Sequence, residues 1–138
     1  MLEYLKYHYE SFLGCAERIV TITVKDGMLT RKVFRPKGYN PDQDEEAAPI
    51  VETSEFEGYL GILESFNIRK WKDMYFLPVL DGYSWELEYR YSDGEARTIT
   101  GSNSEPLFFG EFISCLMSPD LGKAEDDWYS DDWFPVKD

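Results

Sequence analysis

Histidine occurs once in these 138 residues and cysteine only twice. With one histidine and no cysteine pair, a zinc site is not expected, and neither is any cofactor. Cys15 and Cys115 stand far apart without metal-type spacing, so they read as two reduced thiols of a cytoplasmic protein. No glycine-rich phosphate loop is present: Gly58 and Gly61 lack the flanking pattern and the lysine that such a loop needs. No apolar run approaches the roughly 20 residues of a membrane span. The N-terminus has no basic stretch followed by an apolar one, so no signal peptide is expected. Positive charge is scarce, with 14 Lys/Arg against 27 Asp/Glu and a formal net charge of −13. Such a surface repels nucleic acid and anionic membranes and attracts a basic partner.

Aromatic residues are plentiful, at 17% of a chain that is 43% hydrophobic. That excludes a disordered chain and suits one domain with a real core. The clearest local signal runs from Leu80 to Pro106. Trp85, Leu87, Tyr89 and Tyr91 alternate with Ser84, Glu86, Glu88 and Arg90, which predicts a strand with one apolar and one charged face. Ser92-Asp93-Gly94-Glu95 suits a turn, and Ala96–Thr100 a return strand. A second Asp-Gly hairpin is expected from residues 18–24 and 29–34 around Asp26-Gly27. Leu2–Glu10 fits a strand through Leu5, Tyr7 and Tyr9, and almost as well a helix; its tyrosines favour the strand.

Two helices are expected. One spans 53–67, capped by Thr53 or Ser54, with Phe56, Tyr59, Leu60, Leu63 and Phe66 on one stripe; Gly58 and Gly61 would allow close packing on a sheet. The other spans 106–117, with Ser102-Asn103-Ser104 as cap candidates and Phe108, Phe109, Phe112, Ile113 and Leu116 inward. The hairpin-then-helix order at 18–67 recurs at 83–117. The architecture predicted is α+β: an antiparallel sheet of about five strands built from Asp-Gly hairpins, two amphipathic helices on one face, and an acidic C-terminal tail. Residues 1–119 form the domain, residues 39–52 a mobile acidic loop within it, and residues 120–138 the tail.

Trp71 and Tyr75, then Asp81-Gly82, Trp85, Leu87, Tyr91 and Asp93-Gly94, then Gly101, Asn103 and Pro106 make a pattern. It resembles a group of uncharacterised bacterial proteins over roughly the second half of the chain. The resemblance implies shared structure and carries no activity.

Several sites can be weighed. Asn40, Asp42 and Asp44 have the spacing of a calcium loop, but Glu45 and Val51 stand where it needs Gly and Glu. A diffuse divalent-ion site is the most that segment suggests. His8 could pair with Cys15 or Cys115, though nothing local orients a base; a buried thiol and a sheet-surface histidine are the plainer readings. Glu86 and Glu88 share a strand face, and a glycosidase-like pair there would need a cleft and an aromatic platform. Arg31, Lys32, Arg35 and Lys37 read as a solvated strand edge.

Charge is the strongest functional signal. Residues 40–57 carry −7 and residues 120–138 carry −5. In the tail, Glu125, Asp126, Asp127, Asp131 and Asp132 interleave with Trp128, Tyr129, Trp133 and Phe134; in the loop stand Asp42, Asp44, Glu45 and Glu46. Acids can imitate nucleic-acid phosphates while the aromatics anchor in a partner's grooves, or the aromatics can simply tie the terminus down. The expectation is a non-enzymatic inhibitor or immunity-type protein that blocks a basic, nucleic-acid-binding partner such as a nuclease. The alternatives are an accessory domain whose charge serves solubility, and an enzyme acting on a carbohydrate or small molecule.

Overall fold

Period-2 patterning decides the architecture. The computed structural model describes residues 1–11, 17–35, 46–47, 50–79 and 82–117. In chain order its elements are β1 (Leu2–Ser11), β2 (Glu17–Lys25), β3 (Met28–Arg35), β4 (Glu46–Ala47), β5 (Val51–Thr53), α1 (Glu57–Glu64), a 3-10 turn (Ile68–Lys70), β6 (Met74–Phe76), β7 (Tyr83–Tyr91), β8 (Ala96–Ser102) and α2 (Phe109–Leu116). They form one sheet in the order β4-β3-β2-β1-β7-β8-β6, with β5 also paired to β3. All pairs are antiparallel except β6 with β8.

The α+β class and the five long strands agree with the sequence. The count of five does not, because eight strands pair among the described residues. The three extra strands are two or three residues long, too short for alternation to register. Two of them lie where a loop was expected across 39–52: Glu46–Ala47 pairs with Phe34 and Arg35, and Val51–Thr53 with Leu29–Arg31. The other, β6, lies in the stretch leading to the β7–β8 hairpin.

Both Asp-Gly turns form. Asp26 and Gly27 have φ of 54° and 76°, the two positive values that a two-residue hairpin needs to match strand twist. At the second turn Gly94 has φ of 100°, and the Asp93 carboxylate accepts from the Glu95 amide at 3.0 Å.

The inner face of the sheet carries Leu5 and Tyr7 of β1, Val20 and Ile22 of β2, Leu29 and Val33 of β3, Trp85, Leu87 and Tyr89 of β7, and Ile99 of β8, all buried. Both helices bury their apolar stripes in the same core, through Tyr59, Leu60 and Leu63 of α1 and Phe112, Ile113 and Leu116 of α2. Trp85 packs on Phe109 with ring centroids 4.5 Å apart, and its indole NH donates to the Ser104 carbonyl. The indole occupies the space that a side chain at Gly101 would need. Arg97 hangs the 3-10 turn on the sheet, donating to the carbonyls of Arg69 and Trp71 at 2.7 and 2.6 Å and pairing with Asp73. No helix among the described residues is long and apolar enough to cross a membrane.

The helices are shorter than their sequence stripes. Thr53 accepts from the Glu55 amide, and α1 begins only at Glu57. Ser102-Asn103-Ser104 do not cap α2. Asn103 instead turns its side-chain oxygen to the Tyr83 amide at 3.0 Å, and Phe108 takes the N-cap position with φ of 64°. Phe108 is exposed, not inward. Among the described residues nothing lies within 4 Å of a Cβ placed at Gly58 or Gly61, so they do not serve close packing on the sheet.

Candidate functional site

The described residues that flank both acidic segments meet β3. Asp42, Asp44, Glu45, Glu125, Asp126, Asp127, Trp128, Asp131, Asp132 and Trp133 lie outside the described residues. Glu46 lies in β4, its backbone paired with Arg35 at the end of β3. The tail follows α2, and the end of α2 is tied to the same strand. Arg31 of β3 donates to the Leu116 carbonyl at 2.8 Å, and Tyr59 donates to that same oxygen at 2.8 Å. A guanidinium here meets the negative end of the helix dipole as well as a carbonyl with no helical partner.

Arg31 corrects the expectation of a solvated basic edge. It is only 5% exposed and faces inward with Leu29 and Val33. Its stem packs among apolar neighbours while its head caps α2. Lys32, one residue on, is exposed. Burial pushes the Tyr59 hydroxyl up to about 12, the nearby Arg31 charge opposing that rise.

The outer face has a different composition. Cross-strand rows set Thr21 beside Lys32 and Lys6, then Glu88 and Thr98; a neighbouring row sets Ile19 beside His8, Glu86, Thr100 and Met74. Glu86, Glu88 and Arg90 are exposed, as their alternation requires. Within this face His8 meets two carboxylates. Its Nε2 lies 2.6 Å from a Glu17 oxygen, and the donor atoms of His8, Glu10 and Glu17 all fall within 4.8 Å of one another. Glu10 and Glu17 are direct partners across β1 and β2, and Glu86 faces His8 across β1 and β7. An open depression of about 270 Å³ lies beside them, lined by His8, Glu10, Ser84, Glu86 and Thr100.

Sequence reasoning placed His8 on the sheet surface, correctly, but did not bring Glu10 and Glu17 to it. The signal was partly there, since His8 and Glu10 share strand parity. The nucleophile reading fares differently. Cys115 is buried on α2 beneath the inner face, whereas His8 lies on the outer face, so the sheet separates them. Burial pushes the Cys115 thiol up to about 11, away from the thiolate a nucleophile needs. Cys15 lies outside the described residues. Trp85, an aromatic beside Glu86, is buried under Phe109 and is no sugar platform.

A second surface was missed altogether. Met74, Phe76, Leu77 and Val79, along the outermost strand and just past it, are exposed, as are Leu107 and Phe108 before α2. Three residues of strand and two of loop carry no periodicity to announce them. No protein-family model matches this chain, and no curated protein matches it in sequence.

Proposed function

We propose that the chain is a non-enzymatic binding protein whose two acidic segments dock a basic, nucleic-acid-binding partner such as a nuclease. The observation that carries this reading is that the described residues flanking both segments meet β3. Residues 40–57 carry −7 and residues 120–138 carry −5. Of the first stretch, Asp42, Asp44 and Glu45 fall between the end of β3 and β4, and Glu46 in β4, which pairs there; Glu52, Glu55 and Glu57 run from β5 to the start of α1. The second stretch follows a helix whose last residue is hydrogen-bonded to Arg31 of β3. Arg31 and Arg35 are four residues apart, or about 13 Å along a strand. Two anionic stretches whose described flanks lie close together can act on one partner surface, which flanks at opposite ends of the molecule would hinder. Such charge speeds encounter and occupies a site built for phosphates.

The test compares the full chain with a variant in which Asp42, Asp44, Glu45, Glu125, Asp126, Asp127, Asp131 and Asp132 become Asn or Gln. Basic proteins are captured from a host lysate and their association rates measured. The on-rate should fall at least tenfold from ~50 to ~300 mM salt, because a Debye length shrinks to a few ångströms over that range. The neutralised variant should lose both the capture and the salt dependence. Equal capture by the two chains, or a flat salt response, rejects the reading.

A further inference from the structure

The docking reading makes no use of the cluster on the outer face. We propose that His8, Glu10 and Glu17 bind one divalent transition-metal ion of the zinc class. The three donor atoms lie within 4.8 Å of one another, and His8 and Glu17 already touch at 2.6 Å. An ion about 2.0–2.2 Å from each donor holds tetrahedral ligands roughly 3.3–3.6 Å apart. Small side-chain rotations reach that spacing: the His8–Glu17 contact opens and the widest gap closes by about an ångström. The frame need not move. His8 and Glu10 are alternate residues of β1, which is paired on both sides, and Glu17 lies directly across from Glu10 on β2.

Charge gives an independent argument. Like charges directly opposite in an antiparallel pair are destabilising, yet Glu10 faces Glu17. Glu86 adds a third carboxylate across from His8. The ion pairs among the described residues set Glu17 against His8 and give Glu10 and Glu86 no lysine or arginine. A dication held by the imidazole and two carboxylates converts that repulsion into ligation.

The donor set selects the ion. An imidazole nitrogen with two carboxylates suits Zn²⁺ and its neighbours, whereas Ca²⁺ wants six to eight oxygens and soft ions want sulfur. The depression beside the cluster leaves room for a water molecule, or for Glu86, at the fourth position.

The test uses the full chain, freed of metal by chelator and titrated with Co²⁺ alone, then with Zn²⁺. One Co²⁺ per chain should bind with a visible absorption band that Zn²⁺ displaces. His8→Asn and Glu17→Gln should each weaken binding at least tenfold, since even groups behind a metal's ligands are worth about ten- to a hundredfold. Far-ultraviolet circular dichroism should be unchanged. The chain's one histidine makes its ring proton resonances an unambiguous reporter, and they should shift on adding Zn²⁺. The acidic segments offer competing carboxylates, so His8 decides the matter. Equal Co²⁺ affinity in the wild type and His8→Asn, or an unmoved histidine resonance at saturating Zn²⁺, overturns the proposal. The resonance test needs no variant and holds even where a substitution disturbs the fold.

Discussion

The same strands build two surfaces that behave differently. On the inner face, residues 85, 87, 89 and 91 of β7 are buried under two helices; on the outer face, residues 84, 86, 88 and 90 of that strand meet solvent. The inner face gains stability from apolar area removed from water, and its Arg31, Tyr59, Trp85 and Arg97 side chains hydrogen-bond to backbone carbonyls. The outer face has no such constraint among the described residues, and there like charges sit opposite one another at Glu10 and Glu17. Packing accounts for the first arrangement and not for the second. A site is therefore best sought where alternation turns residues away from the core.

The sharpest way to break the comparison is to overfill the inner face. Gly101→Val puts a side chain into the Trp85 indole, against a strand that cannot retreat. The expected loss is about 3 kcal/mol or more, or roughly 10 °C in melting temperature. Arg31→Ala should cost about 3 kcal/mol, because it removes packing and leaves the buried Leu116 carbonyl with Tyr59 alone. Chemical denaturation measures both. A loss under 1 kcal/mol for either would mean that the inner face is looser than its geometry implies.

Alkali tests the inner face without mutation. Burial pushes the Tyr59 and Tyr91 hydroxyls up to about 12 and the Cys115 thiol up to about 11, while the unfolded chain ionises them near their ordinary values of 10 and 9. The folded state therefore binds more protons at high pH. Its advantage is whole below the unfolded values and declines as pH rises from about 9 to about 12, with Tyr59 alone worth at most about 3 kcal/mol. Melting temperature followed against pH, beside tyrosinate absorbance, should show unfolding and ionisation together.

Legibility in the sequence followed the same division. β7 could be read because nine residues alternate without interruption, and both hairpins because Asp-Gly supplies the required positive φ. The charge of Arg31 points to solvent, whereas its parity with Leu29 and Val33 points to the core, and parity wins. A long aliphatic stem and an unpaired helix carbonyl make an inward arginine acceptable. The metal-type cluster was half visible. His8 and Glu10 share a face by parity, but Glu17 joins them only through the β1–β2 register, which the intervening residues 12–16 do not encode. β4, β5 and β6 are held by backbone pairing to neighbours, so their side chains announce nothing.

Smaller effects belong to solvent-facing positions. Gly58 and Gly61 lie on α1 with nothing among the described residues within 4 Å of where a Cβ would stand. Alanine at each should raise stability by about 0.5–1 kcal/mol by removing backbone freedom from the unfolded chain. A decrease would mean that the outer side of α1 is covered in the full chain.

The smallest effect is the most discriminating. Glu10→Gln removes one of two facing carboxylates, so in metal-free protein it should stabilise by a few tenths of a kcal/mol. With saturating Zn²⁺ the sign should reverse, because the wild type gains binding energy that the variant has lost. Solvation of a charged surface predicts the same small gain with and without metal. A repulsive pair kept for ligation predicts that the two melting curves cross as Zn²⁺ is added. Thermal melts of both chains across a Zn²⁺ series therefore ask whether the repulsion at Glu10 and Glu17 is incidental or serves an ion.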